Sequence, residues 1–444
     1  MNRRVSKHVG SLEAAAAGVS LLVWHCTSEA PLAMLPTSTD GPSPVVAPNE
    51  PAPSGEAPDE PQIGGTPAVE GNPAVDGNVP VATEPAPAIT PPAADSPPAV
   101  PPVFTGSFIL GADISSVQEA AAWGSVFVDT DGVEKSMVAL LKNHGFNYVR
   151  LRTFVDPTAE YGYASGNGCE AKMAAYNDRD HTIEFAREVK AAGMGLLLDF
   201  HYSDTWADPG KQVIPEAWRG ATSVAELAQR VEEYTLDVLG AMVTAVVRPD
   251  MVQVGNEITP GMLIHVPTAG SDCYGNGSVI NPVVNGSAES WDDLATLLRA
   301  GIGAVRQVDA DMLVMLHIEN LESTAGVADW VSNAQARGVS FDVLGLSAYE
   351  EFQGPASAWR GNLQALAVQF PQLSFAIAEY NPQRRLLNEL MRELPDGRGL
   401  GTFFWEPTQS GAWGVGLFDW QGNRATARSE DFAEYDQLRA DFGL

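Results

Sequence analysis

Eight short, almost wholly apolar runs recur between Phe104 and the end of this 444-residue chain, and a stretch with helical periodicity follows each of them. They read FILGADIS (108–115), NYVRLRTFV (147–155), GLLLDFHYS (195–203), MVQVGNEI (251–258), MLVMLHIE (312–319), DVLGLSAY (342–349), SFAIAEY (374–380) and GTFFWEP (401–407). A strand without polar alternation is one buried on both faces, as in a parallel sheet covered by helices. VEKSMVALLKNHG, HTIEFAREVKAAG and WDDLATLLRAGIGAVRQV supply such helices, and several of the helical stretches end at a glycine, a common C-terminal stop. No GxGxxG turn follows the first run, which argues against a dinucleotide-binding doubly wound sheet. Eight strands alternating with helices predict an α/β chain closed into a (β/α)8, or TIM, barrel.

Such a barrel carries its site at the C-terminal ends of the strands, so the residues closing each run are the informative ones. Strand one ends near Asp113, strand two carries Arg150 and Arg152, and strand three closes with Asp199 and His201. Strand four gives Asn256 and Glu257, strand five His317 and Glu319, strand six Tyr349, strand seven Glu379, and strand eight Trp405 and Glu406. Glu257 and Glu379 lie three βα units apart, so on a closed barrel they face each other across the mouth.

A carboxylate at the end of an apolar strand is costly unless it has a partner or a task. Two in one pocket, one protonated and one ionised, suit glycoside hydrolysis. One protonates the departing oxygen; the other attacks the anomeric carbon or activates water. A gap of about 5–5.5 Å gives retention and one of roughly 6.5–9.5 Å gives inversion. The other rim residues fit this chemistry. Arg150 is expected to hold Glu379 ionised, Asn256 to meet the sugar 2-hydroxyl, and Tyr349 to donate to the nucleophile. His201 and His317 are expected to fix the acid and its neighbours, and Trp405 to floor the sugar ring.

Over essentially all of 104–444 the chain resembles glycoside hydrolase family 53, the endo-β-1,4-galactanases. The carrying motifs are GADISS (111–116), HGFNYVRLRTFVDP (144–157), LLLDFHYSDTWADPGKQ (196–212), VQVGNEITPGML (252–263), LGLSAYEEFQG (344–354), FFWEP (403–407) and LFDWQGN (417–423). The resemblance implies a retaining enzyme of neutral β-1,4-galactan, with Glu257 as acid/base and Glu379 as nucleophile. It also implies that Trp206 and Asp208 help to shape the sugar cleft. Two departures stand out. Tyr380 follows Glu379 where relatives more often carry a small or hydroxyl residue. Only about twenty residues separate Tyr380 from Gly401, and they must hold a helix. The calcium-binding loops of many bacterial relatives are therefore not expected, nor any other metal or cofactor. A shorter cleft releasing longer oligosaccharides is expected instead.

The rest of the chain sets the context. Arg3, Arg4 and Lys7 precede the apolar AAAAGVSLLVW, which predicts an export signal over 1–29, with Cys26 a candidate lipid anchor. About twenty of the thirty-two prolines fall between Pro31 and Val103, a segment without Lys or Arg. Residues 30–103 are expected to be a disordered, acidic Pro/Ala-rich linker that tethers a secreted or cell-surface protein. A net charge of -30 excludes nucleic acid as a partner, and a monomer is expected. Cys169 and Cys273 lie in Gly-rich polar segments and are either a disulfide or two free thiols. Two alternatives stay open for function. One is a related barrel cleaving mannan, xylan or glucan; the other is a non-catalytic carbohydrate-binding barrel.

Overall fold

The computed structural model describes residues 104–444 apart from 105, 170, 171, 173, 412 and 413. The expected export signal at 1–29, Cys26 and the acidic linker up to 103 lie outside the described residues. All eight predicted strands form: β1 (Ile109–Asp113), β2 (Tyr148–Thr153), β3 (Gly195–Phe200), β4 (Met251–Val254), β5 (Leu313–Ile318), β6 (Val343–Ala348), β7 (Ser374–Tyr380) and β8 (Gly399–Trp405). Each pairs in parallel with its sequence neighbours, and β1 pairs with β8, so the sheet closes as a barrel. The helices following the eight strands are α1 (Met137–Asn143), α2 (Arg179–Ala191), α3 (Val224–Thr244), α4 (Trp291–Val308), α5 (Thr324–Ala336), α6 (Ala356–Gln369), α7 (Arg384–Arg392) and α8 (Ser429–Phe442).

Their starts are chemical. Ser136, Asp178, Ser223 and Ser323 each accept a hydrogen bond from a backbone N–H in the first turn of α1, α2, α3 and α5, satisfying a donor that has no partner within the helix. Helix α1 begins later than its periodicity suggests: the Lys135 N–H donates to the carbonyl of Phe127, and Ser136 caps the helix that follows.

One apolar cluster fills the space between strands and helices, and a second contains Ile109, Tyr148, Leu197, Met251, Met315, Val343, Ala376 and Phe403, one from every strand. Residues from all eight strands meet only inside the barrel, so this second cluster is its plug. Gly195 is required there: a Cβ would sit 2.1 Å from the ring of Tyr148. Two residues further along, the same face points inward again, and on β2, β3, β4 and β5 it turns polar there. Tyr148 gives way to Arg150, Leu197 to Asp199, Met251 to Gln253 and Met315 to His317.

Long loops cover the mouth. Strand Val126–Val128, after β1, pairs with Arg424–Ala427, which pairs with Phe418–Gln421, so the loops after β1 and β8 share a small sheet. Cys169 and Cys273 form a disulfide with a Cα–Cα distance of 5.9 Å, joining the loops after β2 and β4. Of the two readings left open for these cysteines, the structure contains the bond.

Candidate active site

Arg150, on β2, organises the mouth. Its guanidinium, 1 % exposed, donates from Nη1 to Asp113 (2.9 Å) and Glu379 (2.8 Å). From Nη2 it donates to Asp199 (2.8 Å) and Asn256 (2.8 Å), and from Nε to Gln253 (3.2 Å). One planar fork thus fixes side chains from β1, β3, β4, β7 and the turn after β4, geometry that an ammonium cannot match. The Arg150 charge is shared among three carboxylates, and that alters the expectation for Glu379. Burial pushes the Glu379 carboxyl up to about 7, with Asp113 and Asp199 adding to the rise, and Arg150 only partly offsets it. Asp199, by contrast, stays below its ordinary value: Arg150 and His201 together outweigh the cost of its burial.

Glu257 lies beyond its strand. Strand β4 stops at Val254 because Gly255 adopts a left-handed conformation (φ 82°), and Glu257 itself has φ 47°. A side chain other than glycine there costs roughly 1–3 kcal/mol, and such strain collects at functional positions. The turn is held from outside: Gln212 donates to the carbonyl of Asn256 (2.9 Å), and the Ile258 N–H donates to the carbonyl of His317 (2.9 Å). Gln212 closes the long motif after β3, which explains why that motif bears on Glu257 at all. Burial, then the charges of Glu379 and Glu319, push the Glu257 carboxyl well above the ordinary range. The Glu379 charge is thus felt directly by Glu257, as expected of two carboxyls that face one pocket.

Tyr349 donates to Glu379 (3.2 Å) as expected. A bulge between β6 and β7 brings Ser347 opposite Glu379, and the Ser347 hydroxyl reaches the Glu257 carboxyl at 2.7 Å. His317 lies between Ser347 (Nε2, 2.9 Å) and Asn256 (Nδ1, 2.9 Å). His201 is engaged elsewhere: Nε2 meets Asp199 (3.0 Å), and Nδ1 accepts from the N–H of Ala207 (2.9 Å). It fixes the loop bearing Trp206 rather than the acid itself. Asn256 is turned inward, its oxygen taken by Arg150, Gln253 and His317. Its nitrogen already donates to the carbonyl of Ala207 (2.9 Å), which leaves one N–H for a sugar hydroxyl.

Trp206 stacks over the Arg152 guanidinium at 3.9 Å and meets Trp405 edge-on at 6.2 Å, both rings half-buried at the rim. Arg152 donates to Glu406 (2.7 Å), a second buried pair behind these rings. Asp208 pairs with Lys211 and caps its own turn through the Gly210 N–H. Asp113 is buried against Arg150 and Ser115, a support rather than a wall of the cleft. Tyr380 points away from the mouth, its hydroxyl 2.8 Å from that of Tyr435 on α8, so this departure from the family pattern falls outside the pocket. The segment between β7 and β8 is largely taken up by α7.

Ser347, Gln253 and Gln212 are not among the site residues read from the sequence, and Asp199 is read there only as a strand end. Gln253, an amide inside an apolar run, was the one clear signal. Ser347 had none, because a serine in a strand is ordinary.

The profile of Glycosyl hydrolase family 53 matches residues 109–386, which include both glutamates. An uncharacterized protein of Niallia circulans is 32% identical over 381 residues, covering 74% of this chain and 97% of that protein. An endo-beta-1,4-galactanase of Bacillus subtilis is 35% identical over 260 residues, 58% of this chain and 52% of that protein, so the chain spans about half of that relative. Among solved structures, the GH53 catalytic domain of Ignisphaera aggregans superposes with a TM-score of 0.61 at 27% identity, over 77% of this chain and 99% of that one.

Proposed function

Since the chain belongs to glycosyl hydrolase family 53 and is a glycoside hydrolase, we propose that it cleaves internal β-1,4-galactosidic bonds of galactan with retention, using Glu257 as acid/base and Glu379 as nucleophile. The observation carrying this reading is the pair itself: two acidic side chains from opposite staves of one barrel, Glu379 held by Arg150 and Tyr349, and Glu257 raised by its burial and by the Glu379 charge. Glu257 protonates the glycosidic oxygen while Glu379, oriented by Arg150 and Tyr349, attacks the anomeric carbon. Water then enters, Glu257 takes its proton, and the sugar leaves Glu379. The remaining N–H of Asn256 is suited to the 2-hydroxyl, and Trp405 with Trp206 to the apolar face of a ring. The galactanase names of the relatives support the choice of substrate over mannan, xylan or glucan.

Incubating the full-length protein with unbranched β-1,4-galactan, mannan, xylan and glucan, and sizing the products, tests this. Oligosaccharides of several lengths from galactan alone are expected. Cleavage of another backbone in its place would overturn the substrate assignment.

The titrations set the pH dependence. Activity needs Glu379 ionised, so kcat/KM should rise as pH climbs through about 7. It also needs Glu257 protonated, so kcat/KM should fall at a higher pH, as Glu257 ionises. A bell with its acid limb near neutrality is expected from initial rates in a buffer series. An acid limb at ordinary carboxylate values would show that Arg150 governs Glu379 more strongly than burial does.

A further inference from the structure

The donors and acceptors around His317 can be assigned one by one. Arg150 can only donate and the carbonyl of Ala207 can only accept, so Asn256 is fixed with its oxygen toward Arg150 and its nitrogen toward Ala207. That oxygen lies 2.9 Å from Nδ1 of His317. The Gln253 amide nitrogen is farther, at 3.3 Å, and its two hydrogens have Asp199 (2.6 Å) and the Gly255 carbonyl (3.0 Å) as nearer acceptors. To avoid two facing lone pairs, Nδ1 therefore carries a hydrogen. His317 is wholly buried, and its burial and the Arg150 charge keep the ring from gaining a second proton. Nε2 is therefore bare and faces the Ser347 hydroxyl at 2.9 Å. The same hydroxyl faces Oε1 of Glu257 at 2.7 Å. It has one proton and two acceptors that compete for it.

Building on the acid/base reading of Glu257, we propose that Ser347 is a positioning residue whose hydroxyl proton points to His317 while Glu257 is protonated and swings to Glu257 when that carboxyl ionises. No proton leaves Ser347. In glycosylation the Glu257 proton goes to the departing oxygen, and the serine hydroxyl rotates to donate to the new carboxylate. In deglycosylation Glu257 takes a proton from water and the hydroxyl returns to Nε2. His317, held by Asn256 and Arg150, is the competing acceptor that keeps the carboxylate from being stabilised too early. The other groups facing Glu257 are Glu379 on β7, Glu319 beyond β5, Asp208 in the loop after β3 and Tyr349 beyond β6. Arg150, Asp199 and His201 face His317. Ser347 donates to Glu257 from among these charged and titratable neighbours, at 2.7 Å.

The two partners should therefore move the alkaline limb of kcat/KM in opposite directions. Ser347→Ala removes the donor to the carboxylate and should raise that limb by about one pH unit, the size of a hydrogen bond to a charged group. His317→Leu removes the competitor and should lower it, while Ser347→Thr should keep the wild-type limb. Limbs that move together, or do not move, would overturn the proposal, since a merely loosened site lowers kcat without such a pattern. A second measurement needs neither substrate nor a variant that folds. In the full-length enzyme labelled with 15N-histidine, the His317 Nδ1 should resonate as a protonated nitrogen and Nε2 as a bare one. An Nε2–H tautomer or an imidazolium would refute the assignment. Because this readout does not involve galactan, its failure is distinct from a failure of the substrate proposal.

Discussion

Glu379→Gln should lower turnover of β-1,4-galactan by at least about three orders of magnitude, and Glu257→Gln by a comparable factor. The amide of the first variant keeps an oxygen for the Nη1 of Arg150 but cannot attack an anomeric carbon. It also removes one negative charge from a cluster in which Asp113 and Asp199 already share the same guanidinium. The melting temperature should consequently hold or rise while activity is lost, which separates a chemical defect from a folding one. The two glutamates can be told apart by what rescues them. Azide should restore cleavage by Glu379→Gly and yield a product of inverted configuration, because the small anion fits where the nucleophile was. Glu257→Gln should lose far less on an aryl galactoside whose leaving group needs no proton than on galactan. Near-normal galactan hydrolysis by either Gln variant would remove that residue from the reaction, and azide rescue of Glu257→Gly alone would exchange the roles.

The sequence reveals the barrel because burial on both faces leaves an unmistakable run of apolar residues, and the turn to polar residues at each strand end marks the mouth. Arg150, Glu257, Glu379 and Tyr349 were legible on that basis, and they do meet. What stayed hidden depends on three-dimensional sharing. One guanidinium serving Asp113, Asp199 and Glu379 cannot be read from spacing, nor can the burial that, with those two aspartates, pushes the Glu379 carboxyl up to about 7. Ser347 reaches Glu257 only because a bulge shifts β6 against β7, and bulges leave no signature in a run such as DVLGLSAY. His201 looked interchangeable with His317, since both close strands. Yet one faces a backbone N–H and the other a serine, a difference set by loops that periodicity does not describe. The pairing of Cys169 with Cys273 stayed open for the same reason: loop–loop proximity is a property of the closed barrel.

Arg150→Met should be the most destabilising single change at the mouth, by about 3–5 kcal/mol at neutral pH, the usual consequence of removing one partner from a buried ion pair. Asp113, Asp199 and Glu379 would lose the cation they share, Asp113 keeping only Arg152 at 3.7 Å and Asp199 only His201 at 3.0 Å, and Gln253 and Asn256 would lose a donor. Arg150→Lys should recover only part of this, because one ammonium cannot reach both sides of the fork. The effect carries a pH signature whose sign can be worked out. In the wild type Asp199 has a depressed carboxyl, so its contribution to stability is present above its unfolded-state value and is lost as pH falls. In the variant the carboxyls that lose Arg150 bind protons more readily folded than unfolded, so the variant gains stability as pH falls. The Asp199 loss falls below the range tested, and within that range the wild type gains some stability through its own raised Glu379. The gap therefore narrows by the further rise that loss of the Arg150 charge gives the three carboxyls. Urea unfolding in steps from about pH 7 to about pH 5 should show the difference shrinking. A deficit that stays constant across this range would mean that Arg150 matters as a packing element, and that its charge does not hold the mouth together.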